Sequence, residues 1–465
     1  MGSVGEVPDT PQFDSRMTDA EGLMWRLERD PALTGTFANL AIVDRAPDFD
    51  RLHRRLDHAC ASVPRLRQRV HSTPANLTPP HWVEDPNFDL NFHLRRIALP
   101  KPATLAELHH LAALLVLDPF EPTRPLWQFV VIEGLRGGRA AILQKMHHAV
   151  ADGETGVRLT LEFVDLERDA PEPPPAEGGT PSSDPGSTPQ PSAAEALSDV
   201  LTGGLRMPLG VLRQLRELLS DPNGSQGASE VLKNLVAQLT DVGKAQSPLW
   251  TRRSLRRGFE TLHTPLDGVR NAAKTLGGTV NTAFLMAVAD AAGCYHREFG
   301  APVDTLRASM VVSTRTQTSG PNAFTLARLV VPTGEMSVRE RFAAVHEQAG
   351  SARNTSTAAS LEKLAGIASA LPTGVLTRIA HQQSQTVDFA TSSLRGAPKP
   401  IYIAGSKVLA NYPLGPLVGV AFNLTAMSYG ESLDMGLHVD LAAVEQPAAL
   451  RRHLDQAFKR LARTR

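Results

Sequence analysis

Residues 144–155 read QKMHHAVADGET: two adjacent histidines, three small or apolar residues, then Asp-Gly. The flanking sequence fixes how this stretch folds. Upstream, WQFVVIEGLRGGRAAILQKMHH (127–148) reads as a hairpin, with a strand over Trp127–Glu133, a turn through Gly137-Gly138 and a second strand from Arg139 onward. Downstream, the apolar period changes from two to three and four at Val157, Leu161 and Val164, which predicts a helix opening at Asp152 or Gly153. The histidines thus stand where a strand ends, a short loop turns and a helix begins. Reactive groups are often carried at such junctions.

Spacing then separates the chemistries. Successive strand side chains point to opposite faces, so His147 and His148 are poorly placed to grip one ion from extended backbone. On a helix they would diverge by about 100°, whereas paired ligands prefer the i, i+4 spacing of H-E-x-x-H. No cysteine or third histidine lies close by, and no metal is expected. An arbitrary histidine pair is usually structural, one ring buried and bonded, the other at the surface. Period two puts His148 on a face with Ile142, Gln144 and Met146, and His147 with Leu143 and Lys145. One imidazole can then face a cleft while the other anchors the turn.

A neutral imidazole in a cleft is suited to taking a proton from a hydroxyl. The chain has no G-x-S-x-G elbow, and neither cysteine neighbours a histidine. The pattern therefore favours direct attack by an activated substrate hydroxyl, with no covalent enzyme intermediate. G-x-G-x-x-G and G-x-x-x-x-G-K-[ST] are also absent, which argues against dinucleotide binding and phosphoryl transfer.

At 465 residues the chain exceeds what one core usually supports, so two domains are expected. Hydrophobic residues make up 42% and charged residues 21%, and the 48 basic residues balance 48 acidic ones. That composition is globular and gives no reason to expect a nucleic-acid partner. Cys60 and Cys294 are far apart and match no disulfide or zinc pattern, which fits a reducing cytosol. The N-terminus lacks the basic and apolar regions of a signal peptide, and Glu6 stands where a myristoylation site wants Ser or Thr. No apolar run approaches a membrane span. A cytoplasmic protein, soluble or peripheral, is expected.

Eight prolines between Pro171 and Pro191 mark residues 169–193 as an extended tether between a first domain (1–168) and a second (194–465). Both mix helix and strand, an α/β (α+β) pattern. Leu52, Leu56, Ala59 and Val63 predict a helix over 51–63. A further helix is predicted over Thr282–Phe299 with Asn281 in the capping neighbourhood, and another closes the chain. Helical sequence occupies 195–245, and strands are predicted at 306–313, 326–332, 401–409, 418–428 and 435–440. Residues 204–219 and 449–465 each pair a leucine stripe with several arginines. They could lie on an anionic membrane or droplet surface, but packing onto the body is the favoured reading.

His147–Gly153 forms an HHxxxDG motif, and around it the chain resembles the bacterial wax ester synthase/diacylglycerol acyltransferase family over nearly its whole length. The resemblance is carried by MTDAEGLMWRLE (17–28), HWVEDPNFDLNFHLRRIALP (81–100), DPFEPTRPLWQFVVIEGL (118–135), GGTVNTAFLMAVADAA (277–292) and the strands from LANYPLGPLVGV (409–420) onward. HHxxxDG alone marks a wider superfamily of coenzyme-A- and carrier-dependent acyltransferases. The resemblance implies two chloramphenicol-acetyltransferase-like domains with the site in a channel between them. It implies His148 as general base, Asp152 as a structural member of the loop, Gly153 as the tight entry to the next helix, and His147 as a pocket-shaping residue. The implied reaction moves a long-chain acyl group from acyl-CoA, a co-substrate rather than a bound cofactor, to diacylglycerol. The products are triacylglycerol and CoA.

Long-chain alcohols, giving wax esters, are the nearest alternative acceptors. Another hydroxylated or amino metabolite, or a non-catalytic lipid-binding role, comes after them. A peripheral place at the inner membrane face or on lipid droplets is implied as well. Two departures stand out. Ser392-Ser393-Leu394-Arg395-Gly396-Ala397 replaces the family's Ser-Asn-Val-Pro-Gly-Pro, which predicts a less rigid loop, and Asn281-Thr282 replaces Asn-Asp.

Overall fold

The computed structural model describes residues 15–72, 80–151, 153–172, 244–313, 324–356, 365 and 373–464. Asp152, the tether from residue 173 on, the 204–219 stripe and nearly all of the helical sequence at 195–245 lie outside the described residues.

The first half runs α1 (Asp19–Leu27), β1 (Thr36–Val43), α2 (Phe49–Ser62), β2 (Gln68–His71), β3 (His81–Glu84), α3 (Leu90–His93), β4 (Leu94–Ala98), α4 (Leu105–Leu117), β5 (Trp127–Leu135), β6 (Arg139–His147) and α5 (Gly153–Thr160). Local chemistry sets the ends. Thr18 and Glu21 form a capping box on α1, and Asp48 caps α2, whose Leu52, Leu56, Ala59 and Cys60 are buried. Between β5 and β6 the chain turns through Gly137 and Gly138 at φ 81° and 72°, a region that glycine enters without steric cost.

The second half runs β7 (Arg257–Pro265), α6 (Leu266–Thr275), α7 (Val280–Glu298), β8 (Thr305–Ser313), β9 (Phe324–Pro332), α8 (Val338–Ser356), α9 (Thr373–Ser384), β10 (Phe389–Arg395), β11 (Tyr402–Ile403), β12 (Ser406–Leu414), β13 (Phe422–Tyr429), β14 (Ser432–Asp440) and α10 (Pro447–Ala462).

Two six-stranded sheets result, ordered β11-β12-β1-β6-β5-β4 and β7-β14-β13-β10-β8-β9. The expected division at the tether is therefore not a division between sheets. β12 pairs antiparallel with β1, from Ala38↔Leu414 to Ile42↔Ala410, so residues 402–414 of the second half complete the first sheet. Without them β1 would be an open edge with unpaired backbone groups.

Each sheet has distinct faces. In the first, Leu40 and Ile42 pack with α4, whereas Ala41 and Val43 pack with α2. In the second, Phe422, Leu424 and Ala426 of β13 face a core built with α6, α7 and α10. Their alternates Asn423, Thr425 and Met427 face the other way, into a cavity. For residues 449–465 the packed reading holds. Leu450, Leu454, Phe458 and Leu461 of α10 are buried, Arg452 pairs with Glu298, and Arg460 pairs with Asp290.

Two local expectations are corrected. Ser392–Arg395 are not loop but part of β10, paired in parallel with β13 at Ser392↔Thr425 and Leu394↔Met427. Backbone pairing, not proline, holds Ser392–Arg395, and Gly396-Ala397 follow the strand. Asn281 is not the cap of α7 either. Thr279 is, its side chain accepting from the Thr282 amide at 3.2 Å.

Candidate active site

Between the sheets lies a cavity of about 750 Å³, lined from both halves of the chain. This is within the size range of small-molecule sites. Its walls are mostly apolar: Leu23, Met24 and Leu27 of α1, Phe37, Phe129 and Met146 of the first sheet, and Met310, Val420 and Met427 of the second half. Its polar lining residues include His148, Asn39, Gln144, Asn281, Asn411, Asn423, Thr425 and Arg328.

The two histidines have different surroundings. His147 ends β6 opposite Thr36 and is fully buried. Its Nδ1 accepts from the Ala149 amide at 3.0 Å, so the proton of the neutral ring sits on Nε2. Nε2 donates to Glu28 at 2.9 Å. Both nitrogens are thus committed to the protein, leaving no lone pair for a substrate proton. Burial pushes the Glu28 carboxyl up, but bonds from His147, Thr34 Oγ1 and the Gly35 amide outweigh it and hold the group below the usual carboxylate range.

His148 is half-buried and lines the cavity with Gln144 and Met146. The Phe37 ring lies 4.6 Å from its imidazole, tilted by 42°. Its backbone amide donates to Gly35 O at 3.1 Å, extending the β1–β6 pairing one residue past the strand. Gly35 lies close against both histidines, where a side chain would fit tightly. A Cβ there would lie 3.3 Å from His147 Nε2 and 3.6 Å from His148 Cβ.

Gly153 opens α5, whose Gly156, Val157, Leu159 and Thr160 line the cavity. Asp152, expected to hold the loop, lies outside the described residues. Asn281 reaches the cavity from the first turn of α7. Lys145 is buried, its Nζ donating to Asp118 O and lying 4.5 Å from the Phe120 ring centroid. Burial lowers it to about 8. Among the described residues no group of three or more His, Cys, Asp or Glu stands together as a metal site. Both cysteines are free, and burial pushes the Cys60 thiol up to about 12.

Sequence reading missed Glu28, Gly35, Phe37, Asn39 and Asn411. Each comes to the site from at least a hundred residues away from the histidines, Phe37, Asn39 and Asn411 by strand pairing, Glu28 by its bond to His147 and Gly35 by accepting from the His148 amide, none of which a local pattern announces. The signals available were two stretches of family similarity, MTDAEGLMWRLE, which ends on Glu28, and LANYPLGPLVGV, which contains Asn411.

Two family models match the chain. The wax ester synthase/diacylglycerol acyltransferase catalytic domain covers residues 17–284, and the corresponding C-terminal domain covers 321–462. A putative diacylglycerol O-acyltransferase of Mycobacterium tuberculosis is 31% identical over 472 residues, spanning 98% of this chain and 93% of that protein. A probable diacylglycerol O-acyltransferase of the same species is 28% identical over 444 residues, 91% of this chain and 90% of the other. Among solved structures, a wax ester synthase/diacylglycerol acyltransferase from Marinobacter aquaeolei VT8 superposes with a TM-score of 0.64. It is 21% identical and covers 96% of this chain and 98% of its own. The first condensation domain of the calcium-dependent antibiotic synthetase has the same fold, with a TM-score of 0.61, 14% identity, and coverage of 97% and 96%.

Proposed function

Since the chain belongs to the wax ester synthase/diacylglycerol acyltransferase family, an acyltransferase family, we propose that His148 is its general base, moving a long-chain acyl group from acyl-CoA to the hydroxyl of diacylglycerol. The asymmetry of the histidine pair carries this reading. His147 has both ring nitrogens spent on Glu28 and Ala149, while His148 faces the apolar cavity.

In the reaction, His148 takes the proton from the acceptor hydroxyl as its oxygen attacks the thioester carbonyl. The tetrahedral intermediate collapses with cleavage of the carbon–sulfur bond. The departing thiolate recovers the proton from the imidazolium, leaving an ester and free CoA. A mostly apolar cavity suits acyl chains and keeps competing water scarce around the thioester. Gly153, the last residue of the motif, opens the helix that follows the base. Fatty alcohols, giving wax esters, are the second acceptor class, because the same base serves any hydroxyl that reaches it.

No described helix is long and apolar enough to cross a membrane. Leu161 and Leu326 line the cavity and are still 62% and 53% exposed. They form an apolar rim on opposite halves of the chain, which supports peripheral contact with a lipid surface from which acceptors enter.

The test is incubation of the purified protein with palmitoyl-CoA and either diacylglycerol or hexadecanol, following thiol release and lipid products. His148→Ala should lower turnover by about 10²-fold or more with folding intact. Full activity in that variant would overturn the assignment of the base.

A further inference from the structure

His148 stands where no side chain directly opposite can hold its ring. It lies one residue past the end of β6, and its amide donates to the carbonyl of Gly35 on the facing strand. A glycine offers the imidazole nothing to pack on. The next residue on the same face of β1 is Phe37, opposite Met146. Diagonal neighbours of this kind come within reach when one carries an aromatic ring. The Phe37 ring centroid accordingly lies 4.6 Å from that of His148.

The same ring meets a second element. Gly156 of α5 approaches so closely that a Cβ added to it would stand 3.3 Å from Phe37 Cε2 and 3.4 Å from Cζ. Glycine is a poor helix former, so its place within the eight residues of α5 answers a demand for room beside the ring. Phe37 is not part of a sealed core. It is half-buried and lines the cavity, as do His148 and Gly156.

A general base has to stand within hydrogen-bond reach of the proton it takes. The χ2 torsion of a histidine is broad and does little by itself to fix the plane of the ring. A packed aromatic neighbour narrows that freedom, and a misplacement of about 1 Å can cost 10²-fold in rate.

We infer that Phe37 is a positioning residue: its ring, seated against Gly156, limits the rotation of the His148 imidazole and aims it at the acceptor hydroxyl. This rests on the general-base reading above and names the side chain through which β1 and α5 orient that base.

The experiment is a pair of mutant cycles with palmitoyl-CoA and diacylglycerol, read as kcat, KM and melting temperature. Phe37→Leu keeps the lining apolar and should lower kcat about 10-fold with KM within about 3-fold. In the His148→Ala background the same change should cost less than about 2-fold, because the ring to be positioned is gone. Gly156→Ala leaves both rings in place and presses a methyl against Phe37. It should lower kcat about 3-fold or more while the melting temperature holds, since alanine is the better helix former. Once Phe37 is leucine, Gly156→Ala should cost no further activity.

An equal loss from Phe37→Leu with and without His148 overturns the inference and leaves the base standing. A loss in KM alone does the same, since Phe37 would then only be a wall for the acyl chain. Where Phe37→Leu folds poorly, Gly156→Ala decides, and a kcat equal to wild type overturns the inference. Full activity in His148→Ala overturns the base assignment, and this inference with it.

Discussion

The Nε2 of His147 and the carboxylate of Glu28 meet at 2.9 Å, joining the end of β6 to the C-cap of α1 across 119 residues of sequence. The same carboxylate accepts from the Gly35 amide, and Gly35 O accepts from the His148 amide. Glu28 thus holds His147 directly and the backbone of His148 through one intervening residue. His147→Ala removes the partner of a mostly buried carboxylate, and a loss of about 2 kcal/mol of stability is expected. In the same variant kcat should fall by about 10-fold with KM little changed, a smaller loss than in His148→Ala. Glu28→Gln, which can still accept from Nε2, should keep most of the activity. Thermal melts with steady-state kinetics check this. A His147→Ala enzyme as inactive as His148→Ala but fully stable would reverse the two roles.

A second prediction concerns the contact between the sheets. A Cβ on Gly436 of β14 would lie 1.9 Å from the Pro413 carbonyl oxygen of β12. β14 belongs to the second sheet and β12 to the first, so this glycine lets the two backbones touch beside the cavity. Gly436→Ala should destabilise the protein by about 3 kcal/mol or more, because a backbone carbonyl cannot step aside as a flexible side chain can. Denaturant unfolding of wild type and variant measures it.

The third prediction is a pH dependence of stability. Burial holds His93, His109 and His438 at about 4, below the usual 6.5 of an unfolded chain. Between these values the unfolded chain binds protons that the folded protein refuses, so stability is fully present above about pH 6.5 and is lost as pH falls toward 4. Each ring contributes up to about 3 kcal/mol of that loss. His109 matters most for the assembly of the halves, since its Nε2 meets Thr261 Oγ1 at 3.1 Å, tying α4 to β7. Melting temperatures from pH 7 to pH 4 should fall steeply, and less steeply in His109→Gln.

The fourth tests the apolar rim. Leu161→Asp with Leu326→Asp should lower turnover of diacylglycerol presented in vesicles several-fold. Turnover of a short-chain acceptor dissolved in water should change little. Equal losses in both assays would place these leucines in the reaction chamber and not at a lipid surface.

Much of the site was readable in one dimension. The β5–β6 hairpin followed from alternation and paired glycines, and the junction of strand, loop and helix from a change of period after the motif. Strand alternation put Gln144, Met146 and His148 on one face, and all three line the cavity. Local reading failed where another segment decided the outcome. Ser392–Arg395 looked like a loop because its composition was compared with a proline-bearing pattern, yet parallel pairing with β13 makes it strand. Asn281 looked like a cap by residue type, but Thr279, two positions earlier, takes that place.

By itself the sequence determined what depends on neighbours along the chain: the periods, the glycine turn, and the adjacency that makes one ion shared by His147 and His148 a poor prospect. Only the tertiary structure decided which histidine is anchored to the protein through both ring nitrogens and which lines the cavity. That choice depends on Glu28 reaching His147, on Ala149 donating to its second nitrogen, and on β12 crossing to close the first sheet beside Asn39. Hydrogen bonds act over about 3 Å of space whatever the separation along the chain. Two equivalent letters in a sequence therefore became one anchored ring and one at the cavity.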